Sequence, residues 1–213
     1  MVKILSVTVK IFTAVVNLFS PVFCSIFWLA ILLLVSSNSI QKKIESSNRT
    51  EDSVQIVGLL QQVYEWHHNH QNEQPDFPII VADTIQNDIN FEAHNKTFVA
   101  IQQSNFFSKT FLKNYQNIAE QLHLKLSTAN PKYLNEINFA YQDQDPWTNS
   151  QEVVDNYWKQ LLISDLVIDN TQASLCWKIQ NENLNTNKYT VKLEKVNGVW
   201  KVAYLQGFDL AQY

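Results

Sequence analysis

Glycine, proline, arginine and cysteine are all scarce in this chain of 213 residues. Three glycines and five prolines are too few for long flexible linkers or for a glycine-rich loop that cradles phosphates. The two cysteines are Cys24, which lies in an apolar segment, and Cys176, which lies far along the chain. We therefore expect no disulfide bond within the chain.

Positive charge is also scarce once the first 43 residues are set aside. Residues 44–213 carry 12 basic side chains against 20 acidic ones, a net charge of −8, and Arg49 is the single arginine of the chain. Proteins that bind nucleic acids neutralise phosphates with clustered lysine and arginine. We therefore expect no nucleic-acid partner.

The chain does have a long apolar run near its start, at residues 11–36. A helix that crosses a bilayer needs about 20 such residues, and Lys3 and Lys10 precede the run as in the positive region of a signal sequence. Val35 and Ser37 suit the positions just before a cleavage site. The run is either a cleaved signal peptide or a retained membrane anchor. In both cases the body is exported, and is periplasmic or held on the outer side of the membrane.

The chain is therefore divided into three parts. Residues 1–37 are the signal peptide or anchor, residues 38–51 are a polar tether, and residues 52–213 are a single domain. Hydrophobic residues make up 46% of the chain and aromatic residues 12%, which is ample for a packed core of ordinary size.

Apolar side chains at three- and four-residue spacing predict two amphipathic helices in this domain. The first begins near Asp52 and ends near His70, ahead of Pro75. The second covers residues 106–126, with Ser104 as its N-cap.

Two further segments are harder to interpret. "FPIIVAD" and "KTFVAIQQ", which lie between the two helices, are interpreted as short strands. Thr148 and Gln151 form a capping-box pattern that favours a third helix. A strand from Trp158 onward is the alternative.

The last fifty residues alternate apolar and polar side chains, which is typical of strands with one covered face. "DLVID", "QASLCWKIQ", "KYTVKLEKV" and "VWKVAYL" follow this pattern in turn. Asn197–Gly198 between the last two is a strong hairpin signal, because both residues tolerate positive φ. The sequence thus predicts an α+β domain, with two or three helices packed on a curved C-terminal antiparallel sheet.

Four motifs in order carry a resemblance to a known group. They are "VYEWHHNH" on the first helix, "FFSKTFLKNY" on the second, "FAYQDQDPW" after it and "KYTVKLEKVNGVWKVAYL" at the end. Together, over residues 52–206, the chain resembles bacterial exported domains of unknown function whose fold is similar to nuclear transport factor 2 (cystatin-like). The resemblance implies a curved sheet wrapped around a helix, which leaves a conical pocket. It implies no particular activity, because this fold hosts enzymes, binding modules and immunity-type proteins alike.

The histidine cluster of His67, His68 and His70 raises the question of a metal site. His67 continues the apolar face of the first helix, so we expect a buried, hydrogen-bonded imidazole there, whereas His68 and His70 should face water. Zinc sites need three or four ligands, and no other cysteine or histidine falls at ligand spacing. We expect neither a metal nor another cofactor.

Aromatic and acidic residues between helix and sheet are the candidates for a ligand pocket. The hypothetical pocket residues are Tyr64, Trp66, Trp158, Trp177, Trp200, Asp143 and Asp145. Aromatic side chains on amphipathic helices and strands are more often part of the core, however, than of a pocket. An aspartate whose pKa is raised by burial can act as a general base, although Asp145 before Pro146 can also be read as a turn residue.

No Ser-His-Asp set, Cys-His pair or phosphate loop is visible in the sequence. We therefore favour an exported or membrane-anchored, non-enzymatic domain that binds a protein or a small apolar ligand. An immunity-type or inhibitor role against a secreted effector is one form of this hypothesis. The alternatives are an isomerase or dehydratase that uses Asp143 or Asp145, and a purely structural component of the cell envelope.

Overall fold

The computed structural model describes residues 50–70, 76–82, 85–128, 145–149, 156–179 and 188–213. The apolar run, most of the predicted tether and Asp143 lie outside the described residues, so what the sequence predicts for them stays a prediction. Within the described ranges, no helix is both long and apolar enough to cross a bilayer.

The described chain contains three long helices and a small ribbon of two strands. The helices are α1 (residues 50–70), α2 (Phe91–Ser104) and α3 (Lys109–Thr128). Strands β1 (Ile79–Ala82) and β2 (Ile85–Ile89) pair antiparallel just before α2. The two predicted amphipathic helices are confirmed as α1 and α3, and α1 includes residues 50 and 51, which the sequence had assigned to the tether.

The C-terminal half forms one antiparallel sheet of four strands in chain order. These are β3 (Leu161–Asp169), β4 (Gln172–Ile179), β5 (Tyr189–Val196) and β6 (Val199–Leu205). Asn197 and Gly198 join the last two strands with φ of 51° and 80°, as the predicted hairpin requires. Three helices packed against a four-stranded antiparallel sheet confirm the α+β prediction.

One face of the sheet is covered by the apolar faces of α1 and α3. Along β4 the side chains of Ala173, Leu175, Trp177 and Ile179 are buried while alternate neighbours face outward. Trp200 on β6 is also on the covered face and only 2% exposed. The helical side of this core contributes Ile56, Leu60, Val63, Tyr64, Phe111, Tyr115, Ile118, Leu122 and Leu126.

The segment "KTFVAIQQ" is helical, so its predicted strand is wrong. It belongs to α2, where Asn90 caps the first turn by accepting the Ala93 N–H at 3.1 Å. Most of its apolar residues are β-branched or aromatic, which favours a strand locally, but packing of Ile101 in the core decides for the helix.

The predicted cap of the second helix is also wrong. Ser104 is the last residue of α2 and donates to the Ile101 carbonyl at 2.7 Å. Ser108 takes the capping role, since its Oγ accepts the Phe111 N–H at 3.4 Å.

From Leu161 onward, the region after Thr148 follows the strand alternative that the sequence left open. Tyr157–Gln160 is a short 3-10 turn, and β3 begins directly after it at Leu161. The predicted third helix is therefore wrong from Trp158 onward, and residues 150–155 lie outside the described part. Pairing of β3 with β4 buries this stretch more effectively than an isolated helix could.

The two edges of the sheet differ. On the outer side of β6, Val202 accepts from the Ser108 N–H and donates to the Phe106 carbonyl, both at 2.9 Å, so residues 106–108 extend the sheet as a short parallel bridge. On β3, the pairing register shifts between Ser164 and Val167, and Asp165 at this bulge has φ of 55°.

Candidate functional site

Tyr64 and Trp177, two of the predicted pocket residues, are in direct contact inside the core. Trp177 Nε1 donates to the Tyr64 hydroxyl at 2.8 Å, and the two rings meet edge to face at 4.8 Å. Both side chains are at most 1% exposed. They fill the space between α1 and the sheet and satisfy each other's polar atoms, so they hold the core together.

His67 occupies the buried position that the helical spacing predicted. Its ring stacks on Trp147 at 4.5 Å, and its Nδ1 lies 3.2 Å from the Tyr157 hydroxyl. Burial, followed by the charges of His68 and His70, lowers the pKa of His67 to about 3. The imidazole is therefore neutral at physiological pH.

The other two histidines are half-buried, so the prediction that they face water is only partly right. His70 stacks on Trp66 at 4.6 Å and donates from Nδ1 to the Trp66 carbonyl at 2.7 Å. His68 packs on Trp158 at 4.5 Å. Among the described residues, no group of three His, Cys, Asp or Glu side chains could hold a metal ion.

Asp145 lies beside this cluster, at the start of the loop of residues 145–149. Its carboxylate accepts from its own loop, from the Trp147 N–H at 2.9 Å and from the Thr148 hydroxyl at 3.1 Å. His67 Nε2 lies 3.8 Å from Asp145 Oδ1, which is beyond a hydrogen bond. Burial raises the pKa of Asp145, although these two hydrogen bonds oppose the shift. These contacts agree with the prediction that Asp145 is a turn residue. Its raised pKa is also what a general acid or base requires.

A second carboxyl group, Asp76, lies near the first and was not predicted. It accepts from the Tyr115 hydroxyl at 2.9 Å and from Trp147 Nε1 at 3.0 Å. Burial raises the pKa of Asp76 to about 7, against the effect of these two hydrogen bonds and with a further rise from the charge of Asp145. We call Asp76, Asp145, His67, Trp147, Tyr115 and Tyr157 the acid cluster.

His94 extends the acid cluster on the side of α2. Its Nδ1 donates to the Asp76 carbonyl at 2.9 Å, and its ring stacks on Tyr115 at 5.1 Å. Its Nε2 is buried and has no hydrogen-bond partner among the described residues. Burial lowers the pKa of His94, so this second imidazole is also held in its neutral form.

The remaining predicted pocket residues lie apart from one another. Trp66 is 6.0 Å from Trp147 at the rim of the acid cluster, and Trp158 packs on His68. Trp200 lies elsewhere, beside the start of α1. The structure thus brings Tyr64, Trp66, Trp177 and Asp145 around one core, and places the buried Trp200 beneath a separate surface.

That surface is an open groove of about 430 Å³ between α1, the end of α2 and the hairpin strand β6. We call it the α1–β6 groove. Its lining residues are Gln55, Gly58, Leu59, Gln62, Ser104, Asn105, Phe106, Val199, Trp200 and Lys201. The four from α1 follow three- and four-residue spacing, so they form one face of that helix.

One end of α1 is fixed beside this groove by a partly buried ion pair. The Asp52 carboxylate accepts from Lys195 Nζ and from Trp200 Nε1 at 2.8 Å. Burial alone would raise the pKa of Asp52, but the hydrogen bonds from Lys195 and Trp200 hold that pKa below its ordinary value. The carboxylate is charged and holds the helix against the sheet.

Sequence reasoning missed Asp76, Trp147 and Gly58. Asp76 carries a weak signal, an acidic residue between Pro75 and Phe77, but its partners lie 39 and 71 positions away along the chain. Gly58 could have been found, because a glycine inside an amphipathic helix is unusual enough to need a reason.

Comparisons with protein-family models, with curated proteins and with solved structures give no match for this chain. The resemblance to nuclear transport factor 2 therefore stays a prediction, and the site must be interpreted from its own geometry.

Proposed function

We propose that this protein is an exported or membrane-anchored binding domain, without enzymatic activity, that holds its partner in the α1–β6 groove. The partner is a protein or a small apolar ligand outside the cytoplasm. An immunity-type or inhibitor role against a secreted effector is one form of such binding. The volume of the groove lies within the range of about 300–1,000 Å³ that is usual for ligand sites.

The observation that carries this proposal is Gly58. It lies in the middle of α1, where glycine costs about 1 kcal/mol relative to alanine. No heavy atom of the described residues comes within 4 Å of the position that a Cβ would take there. Packing among the described residues therefore gives no reason for a glycine, whereas a partner that approaches the helix backbone through the groove does.

The other two glycines have ordinary structural reasons, which makes Gly58 stand out. Gly198 has φ of 80° in the hairpin turn. A Cβ on Gly207 would lie 1.8 Å from the Pro146 carbonyl oxygen. Each of these two positions requires glycine for conformation or space, whereas the described surroundings of Gly58 impose neither requirement.

The proposal that the protein is exported rests on its N-terminal sequence. Export is supported by the apolar run at residues 11–36 and by the lysines that precede it, whether the run is a cleaved signal or an anchor. A fusion of alkaline phosphatase after residue 213 should be active only if the body is outside the cytoplasm. Activity confined to a cytoplasmic reporter at the same position would contradict export.

The binding function is tested by blocking the groove without disturbing the fold. In Gly58→Leu the new side chain has free space at its Cβ and extends into the groove. In affinity capture from the membrane and extracytoplasmic fractions, we expect the full-length protein to bind a partner saturably. We expect the Gly58→Leu variant to lose this binding. Gln61→Leu is the matched control, since it adds an exposed leucine to α1 outside the groove. Equal capture by both variants would contradict the proposed site.

A second candidate function, an isomerase or dehydratase, is favoured by the acid cluster. Asp145 is largely buried, its pKa is raised, and neutral His67 and Tyr157 lie beside it. Such a group can remove a proton next to a carbonyl. Asp143, the other aspartate predicted for this role, lies outside the described residues.

This alternative predicts proton exchange that depends on Asp145. In D₂O, β-hydroxy carbonyl and β,γ-unsaturated carbonyl compounds should incorporate deuterium next to the carbonyl in the presence of the protein, as followed by NMR. Asp145→Asn should abolish the exchange, whereas Gly58→Leu should leave it unchanged. If no compound of the panel exchanges above the buffer rate, the enzymatic alternative is rejected.

A further inference from the structure

We propose that the occupant of the α1–β6 groove is a basic amphipathic helix of a partner protein, which lies along α1 with a small residue against Gly58. This inference rests on the proposed binding function and names the class of its partner. It follows from three features of α1, which are the open space at Gly58, the uncharged wall around it and a carboxylate beyond each end of that wall.

The wall that α1 contributes to the groove is accessible from outside. Gln55 and Gln62 are exposed and Gly58 is half-buried. No heavy atom of the described residues lies within 4 Å of a Cβ built at Gly58. Across the groove, Val199 is 56% exposed. A partner can therefore reach the side chains of α1 directly and needs no backbone group of the sheet.

A helix fits this wall better than a compact ligand does. Gln55, Gly58 and Gln62 follow one another at three- and four-residue spacing, so they form a ridge about 10 Å long on α1. Amphipathic helices bind in grooves through residues at the same spacing, and two packed helices approach more closely where the side chains between them are small. The missing side chain at Gly58 thus has a use when a second helix lies against it.

The charges on this side of α1 determine the charge of the bound helix. Glu51 and Glu65 lie seven residues before and after Gly58, about two turns in each direction, so all three project from nearly the same side. Both glutamates are exposed, and the ion pairs within the described residues include neither of them. Lysine or arginine near each end of the bound helix would pair with these carboxylates.

The other charges beside the groove already have partners in the domain. Asp52 is paired with Lys195. Lys201, on the β6 side, donates from Nζ to the carbonyl and to the Oδ1 of Asn105, and so points toward the end of α2. The net charge of −8 on residues 44–213 also attracts a basic partner at longer range. We therefore assign the basic residues of the partner to the positions that face the two glutamates.

A second copy of this chain is a poor occupant for the same reason. If two copies of α1 packed antiparallel at Gly58, Glu51 of one copy would lie near Glu65 of the other. If they packed parallel, each glutamate would lie near its own counterpart. Both arrangements place like charges together, which destabilises a pair of helices. The occupant is therefore a different protein.

The experiment is a selection of peptides on the full-length protein in nanodiscs of zwitterionic lipid, with empty nanodiscs as the counter-selection. The phage library displays random peptides of about 18 residues, which as a helix would span the distance between the two glutamates. We expect the enriched peptides to carry Lys or Arg toward both ends and Gly, Ala or Ser between them. The enriched peptides are synthesised and titrated by fluorescence anisotropy.

A bound helix has a signature that an extended chain lacks. Alanine substitution along a selected peptide should weaken binding about tenfold at positions three and four apart, because these positions share the face that meets α1. Circular dichroism should show that the peptide gains helix on binding. Sensitivity at every second position, or with no period, would overturn the helix.

The close approach at Gly58 is tested by a graded series of substitutions. Gly58→Ala should weaken the selected peptides about tenfold and Gly58→Leu about a hundredfold, because each added side chain holds the two helices apart. Since alanine favours a helix more than glycine does, a loss of binding in Gly58→Ala does not come from unfolding. Gln61→Leu is the control and should bind the peptides unchanged. Unchanged affinity in Gly58→Leu would contradict a helix at this position.

Reversal of charge tests the two glutamates. The double variant Glu51→Lys and Glu65→Lys should bind the basic peptides about tenfold more weakly and should prefer versions in which Glu replaces Lys and Arg. Glu120→Lys, at an exposed position on α3, is the control. If the library gives no binder, or if the basic peptides bind the double variant and the control equally, the inference is wrong. Partner capture that is still lost in Gly58→Leu would then keep the binding function, with an occupant of another class.

Discussion

At the scale of single residues, Gly207 and Gly58 illustrate two opposite uses of glycine. Gly207 is buried where the C-terminal tail crosses the loop of residues 145–149. Its N–H donates to the Tyr189 hydroxyl at 2.9 Å, and its carbonyl accepts from Tyr213 at 2.7 Å. Tyr189 in turn donates to the Pro146 carbonyl at 2.6 Å, so the absence of one side chain lets three segments meet.

We predict opposite stability changes for the same substitution at these two positions. Gly207→Ala should lower the free energy of unfolding by about 1–3 kcal/mol, because its Cβ would overlap the backbone of Pro146. Gly58→Ala should raise it by about 1 kcal/mol through helix propensity alone. Urea denaturation followed by circular dichroism measures both, and a loss of stability in Gly58→Ala would mean that this glycine is needed for the fold.

Asp76 gives the protein a specific dependence on pH. Its pKa is about 7 in the folded state, above the ordinary value of 3.8. A group with a raised pKa contributes stability that is fully present below about pH 4 and is lost as the pH rises through 7. His67 acts in the opposite sense, since its pKa of about 3 makes stability fall as the pH drops below 6.5.

We predict that Asp76→Asn flattens the first of these effects. The decrease in the free energy of unfolding between pH 5 and pH 8 should be smaller in the variant than in the unchanged protein, by up to a few kcal/mol. His67 contributes equally to both proteins, so the difference isolates Asp76. Equilibrium denaturation at the two pH values is the measurement, and identical pH profiles would contradict the role of Asp76.

At the scale of elements, α1 connects both candidate sites. One of its faces carries Leu60, Val63, Tyr64 and His67 into the core and toward the acid cluster. The neighbouring face, which includes Gly58 and Leu59, forms a wall of the α1–β6 groove. Changes on one face can therefore be tested for effects on the other.

The start of α3 allows a direct test of the corrected cap. Ser108→Ala should lower the free energy of unfolding by about 1 kcal/mol, because the Phe111 N–H loses its acceptor. Ser127→Ala at the exposed end of the same helix is the control and should change stability by less than about 0.5 kcal/mol. Equal effects from both would show that Ser108 does not cap the helix.

The sequence predicted correctly those elements in which the spacing of apolar residues and the residues of the turns indicate the same structure. β4, β5 and β6 alternate cleanly, and Asn197–Gly198 accepts positive φ, so strands and hairpin were both readable. α2 was missed because its β-branched and aromatic residues favour a strand, while the deciding contacts with α3 and the core come from elsewhere in the chain. Asp76 could not be found for the same reason, since Tyr115 and Trp147 reach it only after folding.

At the scale of the whole molecule, the two edge strands of the sheet, β3 and β6, differ in how far they are covered by other segments. β6 is bridged by residues 106–108 over part of its length. On the outer side of β3, no strand of the described residues pairs with it. Leu162 and Val167 on β3 are 40% and 61% exposed, which makes this edge a candidate for unwanted pairing between molecules.

Asp165 is placed where it opposes such pairing. It sits in the bulge of β3 and forms an exposed ion pair with Lys188 at 2.7 Å. We predict that Asp165→Asn, which tolerates the same left-handed backbone, increases self-association while changing the stability of the monomer by less than about 1 kcal/mol. Sedimentation at rising protein concentration measures the first effect and denaturation the second. Unchanged sedimentation would show that a feature other than Asp165 prevents pairing of this edge between molecules.

The bulge in β3 thus has a consequence beyond the single molecule. If the domain is crowded at the outer surface of a membrane, neighbouring copies meet often and with their sheets in similar orientations. A regular, uncharged edge would then act as a template for fibres, whereas a kinked edge that carries an exposed ion pair terminates such growth at the first step.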